Sequence, residues 1–225
     1  MRTLIVSVVL ALALPAIAQV PPSEHELRGY QGLHAAAARG DVAAIEAHIK
    51  SGGAVNATDS HQRTPLHVAI FQKQYDAARA LLRLGADPNR LEAGRYDIIT
   101  IASVANDTAG LRLALEGGGS PRAITSIYDG TALIAAAHLG HADIVRMLIA
   151  AGAPLDHVNN LGWTALMESI VLGDGGKNHT DTLQALVAAG ADVHIADRAN
   201  VTPLQHARSR KYTEMIKILE AAGAR

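Results

Sequence analysis

His138, His141 and Asp143 stand in an H-x-x-H-x-D arrangement. Imidazoles and a carboxylate are zinc ligands, and a water on such a metal would make the site hydrolytic. Two histidines at this spacing lack a third strong ligand. The eleven histidines of the chain also recur at places that a sequence repeat explains, so no metal is expected. Gly173-Asp174-Gly175-Gly176-Lys177 has the look of a phosphate-cradling loop. That chemistry needs Ser or Thr after the lysine and a glycine five places before Gly176, where Asn178 and Val171 stand instead. Cysteine is absent, no serine lies in a Gly-x-Ser-x-Gly context, and no carboxylate pair stands apart from the charged surface. The sequence predicts no catalysis and no cofactor.

One constellation points to binding. Tyr30, Arg63, Tyr96, Gly130, Trp163 and Val201 recur in a single register, with Tyr128 close to Gly130. Three of the chain's seven aromatic residues fall in it, and aromatics with arginine are the types most enriched at protein-binding hot spots. The competing reading is that they pack between neighbouring elements, which suits a tryptophan such as Trp163 equally well.

These positions recur because the whole chain does. Starts of Thr-Pro-Leu-His type fall near residues 31, 64, 97, 131, 164 and 202, and each is answered downstream by a glycine, at Gly52, Gly85, Gly118, Gly152, Gly190 and Gly223. A period of about 33 residues predicts a stacked solenoid whose units cannot bury their apolar faces alone. In Thr64-Pro65-Leu66-His67-Val68-Ala69, the threonine suits an N-cap and the proline the first helical position. Leu66 and Ala69 then share a buried face, and a second helix over 77–84 ends at Gly85. The fifth unit carries five extra residues, placed at 174–178 between its helices and read as a mobile loop.

The segments RTPLHVAIFQKQYDAARALLRLGADPN and GTALIAAAHLGHADIVRMLIAAGAPLD resemble ankyrin repeats. The resemblance covers nearly all of residues 29–225, about six units including caps. It implies an all-α repeat solenoid in which each unit contributes helix-turn-helix and a projecting β-hairpin. It also implies a concave groove lined by first helices and hairpin tips. Carried over position by position, Arg39, Phe71, Gln72, His138, Leu139, Leu172 and Arg210 of the first helices are expected to face this groove, beside Arg63, Tyr96, Tyr128 and Trp163 of the hairpins.

Residues 1–18 differ from the rest. Arg2, an apolar run from Leu4 to Leu14 and Ala16-Ile17-Ala18 have the layout of a cleaved secretory signal, too short to span a bilayer. Residues 19–28 then read as a linker. Removal of the signal leaves a formal charge of −2, with no electrostatic reason for nucleic acid or anionic membrane as partner. With no cysteine to lipidate, no anchor is expected after cleavage. Glycans at the sequons of Asn56 and Asn200 would crowd the hairpins, which favours a bacterial setting. The expectation is a monomeric, periplasmic, non-catalytic module of the cell envelope that binds a protein on its groove and hairpin tips. The alternatives are a secreted effector that binds host proteins and a protective or inhibitory partner of a periplasmic stress-related enzyme.

Overall fold

The computed structural model describes residues 19–225, which form thirteen helices. The signal expected at 1–18 lies outside them. Helix α1 (Glu24–Gly29) precedes six helix pairs. These are α2 (Gly32–Arg39) with α3 (Val42–Lys50), α4 (Pro65–Phe71) with α5 (Tyr75–Arg83), and α6 (Ile98–Val104) with α7 (Thr108–Glu116). Then follow α8 (Ala132–His138) with α9 (Ala142–Ala150), α10 (Ala165–Val171) with α11 (Lys177–Ala188), and α12 (Pro203–Arg210) with α13 (Thr213–Ala221).

Each start behaves as its residues dictate. The side chains of Thr64, Asp97, Thr131, Thr164 and Thr202 each accept a bond from the backbone N–H three residues on, satisfying a donor the helix cannot. Gln31, in the terminal unit, makes no such side-chain bond. At the far end the six glycines that close the second helices all have φ between 84° and 92°. A Cβ would meet nothing within 4 Å at any of them, so glycine is required there by backbone conformation and not by space.

First helices pack on first helices and second on second. Thus α2, α4, α6, α8, α10 and α12 form one layer, and α3, α5, α7, α9, α11 and α13 the other. The core between the layers is continuous, running from Ala37 and Ile45 through Leu66, Leu81, Ile99, Leu111, Leu133 and Leu148 to Leu166, Leu186 and Leu219, all fully or nearly fully buried. Small residues such as Ala69, Ala102 and Ala136 are also fully buried, where they let neighbouring helices approach.

The hairpins are tighter than strands. Among the described residues there is no β-ladder, only an isolated bridge between Thr125 and Gly130. Each hairpin is closed across its base by a backbone bond, from the N–H of Asp59, Glu92, Thr125, Asn159 or Asp197 to the carbonyl of Arg63, Tyr96, Gly130, Trp163 or Val201, at 2.8–3.1 Å, with a further bond inside the turn. Neighbouring hairpins are stitched by Ala93 N–H to the His61 carbonyl, Ser126 N–H to Arg95 and Asn160 N–H to Tyr128, each at 2.9 Å.

Two local expectations change. Residues 19–28 are not a plain linker, since α1 occupies 24–29 behind a capping box between Ser23 and Glu26. The insertion at 174–178 is tied down at both ends. Asp174 Oδ1 lies 2.8 Å from His179 Nδ1, and His179 Nε2 lies 2.9 Å from the His138 carbonyl of the preceding unit. The Tyr212 hydroxyl donates to the Gly173 carbonyl from the following unit at 2.8 Å.

Candidate partner-binding surface

The hairpin register has a structural origin. Arg63, Tyr96, Gly130, Trp163 and Val201 supply the carbonyls that close their hairpins, and this fixes their recurrence. Their side chains meet different fates. Arg63 is 0 % exposed and Tyr96 8 %, so in this structure both lie under neighbouring chain and not on an open contact surface. Trp163 and Tyr128 are half-buried.

Arg63 is held by four groups. Its Nε donates to Asp59 Oδ2 at 2.7 Å, Nη2 bonds Glu26 Oε1, and Nη1 donates to the Val20 carbonyl at 3.3 Å. The fourth contact is Nη2 to His61 Nδ1 at 3.3 Å. Burial disfavours the guanidinium charge, but the bonds to Asp59 and Glu26 outweigh this and the net effect raises its pKa. In turn, bonds from Ser23, opposed by burial and helped by Arg63, hold the Glu26 carboxyl down at about 2. Burial pushes the Asp59 carboxyl up. Bonds from the Tyr30 hydroxyl, Arg63 and the backbone outweigh that and bring it to about 2.

Among the described residues, Glu26, Asp59 and His61 offer ligand atoms within 4.8 Å of one another. The Arg63 guanidinium already bonds both carboxylates, so a divalent cation would have to displace a buried arginine. This cluster is an ion pair and not a metal centre. His138, His141 and Asp143 are each committed elsewhere. His141 Nδ1 lies 3.0 Å from the Ser103 carbonyl, Asp143 pairs with Arg146 at 2.7 Å, and His138 Nδ1 lies 3.3 Å from Glu168 Oε2.

The histidines at the Thr-Pro-Leu-His slot tie helix to hairpin. His67 Nδ1 accepts from the Thr64 N–H at 3.0 Å, and Nε2 donates to the Arg90 carbonyl at 3.0 Å. Burial holds this imidazole neutral, with its pKa lowered to about 4. His34 makes the equivalent reach to the Arg63 carbonyl at 2.9 Å.

Along the first-helix face, Phe71, Gln72 and His138 are half-buried and Leu139 is 40 % exposed. Leu172, one unit on, is also 40 % exposed. On the hairpins the exposed apolar side chains are Leu91, Ile124, Ile127 and Val158. Among the described residues no large apolar side chain is exposed on a second helix. The hairpin aliphatics stand outside the repeating register of Arg63, Tyr96 and Trp163, so no spacing in the sequence marks them.

Glu168 was missed as well. It lies on α10 with only 3 % exposure, and its Oε1 accepts from Asn159 Nδ2 at 2.9 Å. Its Oε2 has no hydrogen-bond partner among the described residues and faces the half-exposed imidazole of His138. The units therefore present an apolar and partly charged first-helix and hairpin surface.

The sequence profile described as "Ankyrin repeats (3 copies)" matches residues 7–92 and 99–197. The putative ankyrin repeat protein YahD of Escherichia coli (strain K12) is 33 % identical over 190 residues, spanning 84 % of this chain and 94 % of that protein. A crystal structure of an ankyrin repeat domain from Acinetobacter baumannii AYE superposes with a TM-score of 0.81 at 41 % identity, covering 86 % of this chain and 98 % of that one. The ankyrin repeat domain of Bcl-3 shares the fold at a TM-score of 0.78 and 24 % identity, covering 88 % of each chain. This chain belongs to the ankyrin repeat family.

Proposed function

We propose that this protein is a non-catalytic interaction module of the bacterial cell envelope. It binds a protein partner on the first-helix groove and hairpin tips of its central units. One observation carries the reading: apart from Val20 in the N-terminal arm, the exposed large aliphatics among the described residues (Leu91, Ile124, Ile127, Leu139, Val158 and Leu172) lie on hairpins or at first-helix ends, and none on the opposite layer. Single exposed apolar residues are ordinary on any protein. Their confinement to one side of the stack is what selects it, and a surface pre-organised by stacking loses little ordering entropy on docking.

The supporting comparisons are with ankyrin repeat domains, whose common use is protein binding. The envelope location rests on the residues before Gln19. Fractionation of cells expressing the tagged chain, with capture from each fraction, tests both parts. A Leu139→Asp/Leu172→Asp variant of unchanged helicity is predicted to lose the captured partner. Capture that is indifferent to the variant, or a chain confined to the cytoplasm, would contradict the reading.

A further inference from the structure

The groove of the second and third units is not empty: the chain's own residues lie in it. Gln19 and Pro21 line a cleft of about 300 Å³ together with Ile70, Phe71, Ile101 and Val104 of the first helices of these units. Pro22 is buried and Gln19 half-buried, although both precede the first helix and belong to no repeat, while Val20 and Pro21 keep an exposed outer side. The Val20 carbonyl accepts from Arg63, the same guanidinium that holds Glu26 of α1. The arm is thus a Gln-Val-Pro-Pro segment outside any helix, pinned at one backbone carbonyl and followed by a charge clamp.

From this we infer that the apolar half of the groove is a binding site for an extended, proline-containing peptide segment, and that residues 19–22 are its resident occupant. The inference rests on the groove being the partner surface and names the kind of segment it takes. Three features make the cleft suit such a ligand. Its walls come mainly from aliphatic side chains and Phe71, with Lys73 and Asp107 at its margin. Pro21, which lines the cleft, has no backbone N–H, so it meets this apolar surface without leaving a donor unpaired. The buried Arg63 offers one outward donor, which fixes the strand through a carbonyl whatever its side chains.

A tethered occupant competes at an effective concentration of the order of millimolar. The apparent affinity for a free segment is therefore reduced by the fraction of molecules whose arm is displaced. Loosening the arm is predicted to expose the site and tighten binding of a peptide supplied in solution.

Phe71 is the only phenylalanine of the chain, so incorporation of a fluorinated phenylalanine places a single fluorine resonance in the cleft. The full chain is compared with Glu26→Ala, which opens the clamp, and with Pro21→Gly/Pro22→Gly, which leaves the clamp intact. The probe is a synthetic peptide with the sequence of residues 19–26. The resonance is expected to shift in both variants and to return, saturably, as the peptide is added. Peptide affinity should be at least about tenfold tighter in the variants than in the unaltered chain. A peptide with both prolines replaced by glycine should bind more weakly. A resonance unmoved in both variants, or one that shifts but does not return with peptide, would overturn the inference. Either failure leaves the hairpin aliphatics standing as a partner surface, which crosslinking from Ile127 reads separately.

Discussion

His67 ties the start of α4 to the hairpin that leaves its unit through a single imidazole, taking the Thr64 N–H at Nδ1 and giving its Nε2 proton to the Arg90 carbonyl 23 residues on. The bond accepted at Nδ1 requires the neutral ring, whereas Nε2 donates in either state. Burial lowers the folded pKa to about 4, against an ordinary value of 6.5. Between these values the unfolded chain takes up a proton that the folded chain refuses, so stability falls as the pH drops from 6.5 towards 4 and levels off below. The loss amounts to about 3 kcal/mol at most. A His67→Gln variant is predicted to flatten that slope while keeping the cap, because Gln205 already serves the same position behind Thr202. Urea melts of both proteins at pH 7 and pH 4.5 measure it.

Arg63 was expected on the binding surface by its place in the hairpin register, and the fold instead buries it between Asp59 and Glu26. Arg63→Ala should therefore behave as a buried ion pair broken from one side, at a cost of about 3–5 kcal/mol. In a solenoid that cost is local. Amide exchange should quicken in α1 and the first two units and stay unchanged in α11 to α13. Uniform exchange, with loss of partner binding alone, would mean that the side chain is a contact residue after all.

Acid should release α1 late. The Glu26 and Asp59 carboxyls, ordinarily at 4.5 and 3.8, are both held at about 2. Groups depressed on folding stabilise above their unfolded values and lose that contribution as the pH falls towards the folded ones. Loosening of the N-terminal arm is thus expected between about pH 4 and pH 2, later than the His67 step. The fluorine resonance of Phe71, followed against pH, separates the two.

The insertion of the fifth unit acts as a brace. His179 is bonded to Asp174 within the loop and to the His138 carbonyl of the fourth unit. Replacing it by alanine is predicted to destabilise the junction by about 1–2 kcal/mol, the worth of a lost partly buried hydrogen bond and the group it leaves unpaired. Faster exchange in the first turn of α11 is the readout.

Much of this was legible in the sequence because it is decided within a few residues. Thr64 and Pro65 start a helix by their own chemistry, and Gly85 ends one because its φ of 91° suits little else. The fate of a side chain that leans on another unit is not local. Arg63 and Trp163 share a register, yet one is sealed under α1 and the other half open, according to what lies above each. Helix α1 did carry a signal, the Ser-x-x-Glu of Ser23 and Glu26, which the lack of repeat pattern around it concealed. Glycines made 174–178 look mobile, and only the fold brings His138 and Tyr212 to hold it. Glu168 looked like another surface charge until α8 and the Asn159 hairpin closed around it.

The most direct measurement is site-specific photocrosslinking in living cells, with the reactive residue placed at Leu139 on the groove lip, at Ile127 on a hairpin, or at Arg79 on the opposite layer. All three positions are exposed, so reactivity alone does not distinguish them. We predict one envelope protein captured in common from Leu139 and Ile127 and absent from Arg79. Equal capture from all three positions, or capture from Arg79 alone, would contradict binding through the groove and hairpins.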